Sequence, residues 1–416
     1  MPCSANISNQ SLIKAAEQFG TPLYVYDSHL IAKHYRQLKE SFANRVDIFY
    51  SLKANPNLAI SARLKKLAAG AEVCSGVELK TALLAGYSPK DIIFVGPVKK
   101  EADIVAALKY RIYAIVCESK EEFVMINELA KTRSEVANIA IRVNPVFSVR
   151  GASLKMGGAP SQFGIDQEQL FQEKTFFLGK KHVNIRGIHV FNSSRILNVE
   201  TFVENIKKIL TLADDLAKAW NKSFSMLDIG GGIGVPYFNN ENPFDLLMLQ
   251  KLIKPLIQSQ KNKRIILESG RYLMANAGVF VSRIENVKKS QQVQFLLTDG
   301  GMNCHLTAAG YGSLLKRNFP IKLLTYKKKS TARHKYHITG PLCTPADIIG
   351  RDVELPEAKI GDYVAILASG AYGPTASPVL FLGHGHPAEV LSEDGQMRLV
   401  RERDSISDFL RKQKFL

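Results

Sequence analysis

The run VDIFYSLKANPN, residues 46–57, is a β-branched and aromatic stretch that ends in a lysine and then breaks at Asn55-Pro56. Its first seven residues read as a strand. Lys53, just beyond it, is either a solvated charge opening a loop or a lysine held inside a site. The rest of the chain decides which. Seven more short β-rich runs follow: AEVC (71–74), IIFV (92–95), IYAIV (112–116), IAIRVN (139–144), RGIHVF (186–191), SMLDIG (225–230) and RIILE (264–268). Amphipathic stretches such as NLAISARLKKLAAG and EEFVMINELAKTR lie between them. Eight strands each followed by helix-forming sequence predict an α/β fold, a closed (β/α)8 TIM-like barrel over residues 27–275. An open doubly wound sheet is the alternative; near-even repeats without a Rossmann opening favour the barrel.

After ESGRYLMANAG (268–278) the pattern changes. GVFVSRIENV, VQFLLTDGG, YHITGP, GDYVAIL, SPVLFLGH and AEVL read as strands with little helix between them. They predict a second, C-terminal β-rich domain, a barrel or sandwich over 276–416. Residues 1–26 are assigned to it through the strand-like PLYVYD (22–27), a run that fits either domain.

The 416 residues are 46% apolar and 22% charged, enough for a sizeable core. The start, MPCSANISNQ, lacks the basic-then-apolar order of a signal peptide, and no run reaches the roughly 18 apolar residues of a membrane span. Five scattered cysteines without metal-ligand spacing point to reduced thiols in a cytoplasm, with no metal site and no disulfide framework. The net charge of +17 raises nucleic-acid binding, but the lysines are dispersed, as in KKLAAG, VKKEAD and IKKIL. They read as solvated faces suited to anionic small molecules. The densest patch, YKKKSTARHKYH (326–337), reads as a basic loop between strands.

Chemistry in such a barrel gathers at the carboxyl ends of the strands. Lys53 follows the first strand, His189 lies in the sixth, Gly230-Gly231-Gly232 follow the seventh, and Glu268-Ser-Gly-Arg271 follow the eighth. Each has an ordinary reading: a tight turn, a core histidine, a rim carboxylate. Their convergence on one mouth is what singles them out. GGGIGV lacks the dinucleotide spacing, since no glycine stands three positions after Gly232. Bare amides after a seventh strand are instead a place to hold a phosphate. A lysine, a phosphate cradle and a buried carboxylate together suit pyridoxal phosphate.

In these motifs the chain resembles the fold-type III pyridoxal-phosphate decarboxylases, typified by diaminopimelate and ornithine decarboxylases. FYSLKAN, GAEVCSGVELKTALLAG, RGIHV, DIGGGIGVPY, ESGRYL, GPLCTPAD and SGAYG carry the likeness, which spans nearly the whole chain. The resemblance implies that Lys53 carries the cofactor covalently, His189 stacks on its ring, and Glu268 pairs with the ring nitrogen. Ser194, the Gly230, Gly231 and Gly232 amides, Arg271 and Tyr372 would hold the phosphate. Cys343 would come from the neighbouring subunit of a homodimer as proton donor, and Asp347 would meet the distal part of a small amino-acid substrate.

The departures bear on the substrate. VFNSSRIL has Ser193 and Arg195 around Ser194 where diaminopimelate enzymes have glycine and glutamine, and ESGR has Ser269 for proline. Thr344 stands where those enzymes carry a glutamate for the distal amino-acid end. GPLCTPAD and NPVFSVRGASLKMGGAPSQFGID look closer to a branch that decarboxylates modified amino acids, carrier-bound or citrate-linked, in antibiotic and siderophore assembly. The alternative is meso-diaminopimelate decarboxylation for lysine. The segment 147–166 reads as a lid over the mouth, with Arg150 and Lys155 facing an anionic substrate. A racemase of the same fold, which sets an arginine against the ring nitrogen, is disfavoured by Glu268. A non-catalytic relative is disfavoured by the intact set, and a small single-barrel cofactor carrier by the β-rich half.

Overall fold

The computed structural model describes residues 5–148, 154–155, 157–238, 240–311, 317–326 and 332–416. Two compact units emerge, one of residues 32–235 and 242–272, the other of 1–31, 236–241 and 273–416.

In the first unit eight parallel strands close on themselves: Val46–Ser51, Gly70–Val73, Ile92–Phe94, Ala114–Cys117, Ala137–Asn144, Val183–His189, Met226–Asp228 and Arg264–Ser269. Each pairs with the next, the eighth pairs with the first, and no edge is left in the ring. The expected barrel is therefore present, strand for strand. The helices start where a side chain can receive an orphan amide. Asn57, Ser75, Ser119, Asn198 and Asp245 accept from Ala59, Glu78, Glu122, Thr201 and Met248.

Phe49, Ile93, Val116, Ala140, Met226 and Ile266 form one buried cluster, each large side chain contributing about 1.5–3 kcal/mol by leaving water. Gly187 is required here: a Cβ would sit 1.8 Å from the Met226 carbonyl oxygen. At the amino ends of the strands Arg264 ties three segments together, donating to Asp47 at 2.7 Å, Asp91 at 2.7 Å and the Lys90 carbonyl at 2.9 Å. That end is built for stability and leaves the carboxyl ends for chemistry.

The second unit holds a nine-stranded sheet. Leu23–Asp27 lies inside it, antiparallel to Gly278–Ser290 and parallel to Ala388–Glu393. Helix Asn9–Phe19 contributes Leu12, Ile13, Ala15 and Ala16 to this unit's buried cluster. One sequence expectation fails here. SPVLFLGH (377–384) is not a strand but a loop with a single helical turn, Phe381–Gly383, following another single turn, Pro374–Ala376. Pro378 has no amide for a ladder. Leu382 has φ 54°, and Leu380, Phe381 and Leu382 are 65%, 47% and 55% exposed, so apolar composition alone misled.

A second correction concerns the lysines taken as solvated. Lys99, in VKKEAD, is buried. Among the described residues no helix is long and apolar enough to cross a membrane.

Candidate active site

Lys53 sits in a single helical turn, Leu52–Ala54, directly after the first barrel strand. That turn lies against the ESGR segment after the eighth strand because residue 270 is glycine: a Cβ there would come within 2.7 Å of the Ala54 Cβ and 3.1 Å of the Ser51 Cβ. The Lys53 Nζ donates to Glu72 Oε1 at 2.9 Å, and its side chain is 36% exposed while that of Glu72 is fully buried. Nζ also lies 5.6 Å from the centre of the Phe191 ring. Lys53 is therefore neither a free surface charge nor a sealed core group. It is a half-open amine with one buried counter-charge.

Glu72 is fixed by strand pairing, opposite Ser51 in the first strand. The same Oε1 receives the Cys74 thiol at 3.0 Å, and burial pushes that thiol well above its ordinary value, Glu72 adding to the shift. Glu78 receives the Cys74 amide at 2.7 Å; burial pushes its carboxyl up to about 7.

Across the mouth, strand register sets Arg142, His189 and Asp228 at one level on the fifth, sixth and seventh strands. His189 Nε2 lies 3.1 Å from Glu268 Oε1, and both residues are buried. The ligating atoms of His189, Asp228 and Glu268 all lie within 4.8 Å of one another. Burial works to raise the Glu268 carboxyl, but His189, Lys53 and Arg142 outweigh it and hold it below the usual range. Burial raises Asp228 well above that range and Glu268 adds to it, so of the two acids Asp228 keeps its proton and Glu268 carries the charge.

Asp228 also sets the glycine turn, since its Oδ1 receives the Gly230 amide at 2.9 Å. Gly230 and Gly232 adopt φ of 63° and 104°, and a Cβ on Gly231 would stand 2.0 Å from the Glu268 carbonyl oxygen. The triplet thus presents bare backbone against the strand that holds Glu268. A Gly231→Ala change cannot relieve a backbone clash by turning a side chain. It is expected to cost about 3 kcal/mol and to displace Glu268. Equal denaturation midpoints and equal cofactor retention for mutant and parent would refute this.

Four buried polar atoms at these strand ends, Glu72 Oε2, His189 Nδ1, Asp228 Oδ2 and Ser269 Oγ, make no hydrogen bond within the protein. A buried group of that kind calls for a polar ligand. An amine with a buried counter-charge, an anionic carboxylate beside a histidine, and a glycine cradle are the donor set that a pyridine ring with a phosphate arm requires.

The match to known proteins agrees with that chemistry. Residues 28–275 match the family model described as pyridoxal-dependent decarboxylase, pyridoxal binding domain. The chain belongs to that family. It is 35% identical to L-glutamyl-[BtrI acyl-carrier protein] decarboxylase of Niallia circulans, covering 97% of this chain and 96% of that one. It is 33% identical to diaminopimelate decarboxylase of Aquifex aeolicus, over 96% and 93% of the two chains. The crystal structure of diaminopimelate decarboxylase from Helicobacter pylori complexed with L-lysine superposes with a TM-score of 0.87 at 29% identity, over 96% and 98%. This protein is a pyridoxal-phosphate-dependent amino-acid decarboxylase.

Of the residues expected in the decarboxylase site, Lys53, His189, Gly230, Gly231, Gly232, Glu268 and Arg271 all lie at the carboxyl ends of the first, sixth, seventh and eighth strands. Ser194 sits in the short strand Ser193–Ser194, which pairs with Leu154–Lys155 of the expected lid segment. That segment is tied to the barrel as well, through Asn144, which donates to the Ala159 carbonyl at 3.1 Å and to Asp166 at 2.8 Å. Arg150 lies outside the described residues. Cys343, Thr344, Asp347 and Tyr372 belong to the β-rich unit. Cys343 is exposed, and Tyr372 adopts φ 55°.

Asp347, expected to meet substrate, receives backbone amides from two segments. It is 2% exposed, with Oδ1 receiving the Met302 amide at 2.6 Å and Oδ2 the Leu342 amide at 2.8 Å. Thr344 Oγ1 is turned back to the Ala346 amide at 3.3 Å. Sequence reasoning overlooked Glu72, Asp228 and Arg142. Each is a charged residue inside an otherwise apolar strand at its carboxyl end, a signal already legible in AEVC, SMLDIG and IAIRVN.

Proposed function

We propose that this decarboxylase removes the α-carboxylate of an amino acid whose far end is conjugated, an aminoacyl group on a carrier protein being the leading class. The GPLCTPAD segment carries the argument. Its only carboxylate, Asp347, is buried and receives backbone amides on both oxygens, and Thr344 offers no charge. That segment thus offers no exposed carboxylate to the free distal ammonium of diaminopimelate. An uncharged amide or thioester linkage does not need such a partner. The relative that acts on a carrier-bound glutamyl group and the net charge of +17, suited to an acidic carrier, point the same way.

Bound pyridoxal phosphate supplies a protonated ring that takes up the electron pair left when carbon dioxide departs. Lys53 Nζ is its covalent anchor, and Glu72 Oε1 holds the ammonium whenever Lys53 is free. Glu268 would receive the ring N–H as an anion, and His189, oriented through Nε2, would lie along the ring face. The amides of Gly230, Gly231 and Gly232, with Ser194, Arg271 and Tyr372, would hold the phosphate. The protein works as a homodimer in which the partner subunit's Cys343 returns a proton to the substrate carbon. Residues 27–275 form the catalytic barrel domain, and 1–26 with 276–416 the β-rich domain. The setting is cytoplasmic, as the free thiols of Cys74, Cys117, Cys304 and Cys343 suggest.

The test is carbon dioxide release from carrier-bound glutamate, meso-diaminopimelate, lysine, ornithine, arginine and citryl-diamino acids. A conjugate is expected to exceed diaminopimelate by at least about 100-fold in kcat/KM. Preference for diaminopimelate would overturn the substrate assignment and leave the decarboxylase chemistry standing.

A further inference from the structure

The VKK motif found no role in the site, yet Lys99 is one of the most committed side chains in the barrel. All three of its donors are used: on the Gly96 carbonyl at 2.8 Å, the Val116 carbonyl at 2.6 Å and Glu122 Oε1 at 2.8 Å. Glu122 Oε2 receives the Glu118 amide at 2.7 Å. Glu118 in turn receives Arg142 Nη1 on both oxygens at 3.0 Å, and the Gly96 amide on Oε1 at 2.9 Å. The Arg142 guanidinium lies 4.5 Å from the centre of the Phe163 ring. Lys99, Glu118, Glu122 and Arg142 are all buried, two cations and two anions in one continuous chain.

Ion pairs of this kind are a poor source of net stability, because the desolvation they require offsets most of the attraction. Their value lies in fixing a charge in place. The chain runs from the loop after the third strand, through the fourth strand end, to Arg142 on the fifth. Arg142 stands in register with His189 on the next strand.

We propose that the Lys99–Glu122–Glu118 chain holds Arg142 as a positioning residue, whose fixed cation, beside the His189 that contacts Glu268, sets the charge of Glu268. The inference rests on the reading of Glu268 as the partner of the ring nitrogen. The groups acting on Glu268 are His189 from the sixth strand, Asp228 from the seventh, Lys53 from the turn after the first, and Arg142 from the fifth. Burial raises the Asp228 carboxyl and Glu268 adds to it, while His189, Lys53 and Arg142 each lower that of Glu268. Lys53 would be taken up in anchoring the cofactor, whereas the Arg142 guanidinium is held by Glu118 in either case.

The experiment uses the cofactor-loaded enzyme and follows the acid limb of the pH dependence, both of cofactor absorption and of kcat. Arg142→Gln leaves the buried chain one unit more negative and should move that limb up by about half to one pH unit. Arg142→Lys should return most of it. Glu118→Gln keeps an acceptor for the Gly96 amide, leaves the chain one unit more positive, and should move the limb down. Lys99→Met should move it up by less, since its charge is farther along the chain. Shifts of opposite sign for the Arg142 and Glu118 neutralisations support the proposal, because mere loosening of the fold would move both the same way. Shifts of the same sign, or none, overturn it. If Arg142→Gln does not fold, Lys99→Met and Glu118→Gln give the same pair of opposite signs. Glu268→Gln serves as the control: if it leaves the limb unmoved, the reading of Glu268 fails and not the charge chain.

Discussion

Lys53→Ala is expected to abolish the near-visible absorption of covalently held cofactor and to lower kcat/KM by roughly three orders of magnitude or more, about 4 kcal/mol of transition-state stabilisation. The geometry leaves no substitute. Lys99, a buried barrel lysine, has its three donors already taken. The Lys53 turn is fixed against Gly270, so another amine does not swing into its place without moving the eighth-strand end. Folding should survive, since the Lys53 side chain is 36% exposed and its ammonium pairs with Glu72 at the rim of the mouth. The decisive measurement is the absorption spectrum of the purified mutant; an unchanged band would sink the assignment.

Glu268→Gln should retain the cofactor and lose kcat by about 100- to 1,000-fold, about 2.7–4 kcal/mol, the range seen when one preorganised electrostatic group is removed. KM should change little, because the amide still meets His189 and the loss concerns charge that matters as carbon dioxide leaves. The sign with pH follows from the depressed carboxyl of Glu268. Its contribution to stability is complete above the unfolded carboxylate range, about 4.3. That contribution is lost as pH falls through the lower folded value. The parent enzyme should therefore keep an anionic Glu268 through neutral and mildly acidic pH. Stopped-flow and steady-state kinetics at neutral pH check the prediction; a glutamine mutant with parental kcat would refute it.

Much of this protein was legible as text. The eight β-rich runs were found because both faces of a barrel strand are buried, so each reads as a short apolar block between amphipathic helices. Lys53, His189, the glycine triplet and Glu268 stood out because each breaks that block at a carboxyl end. SPVLFLGH was misread for the same reason in reverse: an apolar block was taken for burial, and in the fold its leucines are exposed. Lys99 was misread because charge was taken for exposure, and only the approach of Gly96, Val116 and Glu122 makes a dry place for an ammonium.

The sequence by itself determined the architecture and the cofactor chemistry and singled out Lys53 at a strand end, since these depend on residue type at strand ends and on periodicity along one chain. Tertiary structure alone decided which charges face which. It gave Lys53 its partner in Glu72, left Glu268 rather than Asp228 with the negative charge, and set Asp347 against the amides of Met302 and Leu342. The physical reason is that protonation and pairing depend on distances and on burial between segments far apart in the chain. Such distances exist only once the barrel has closed.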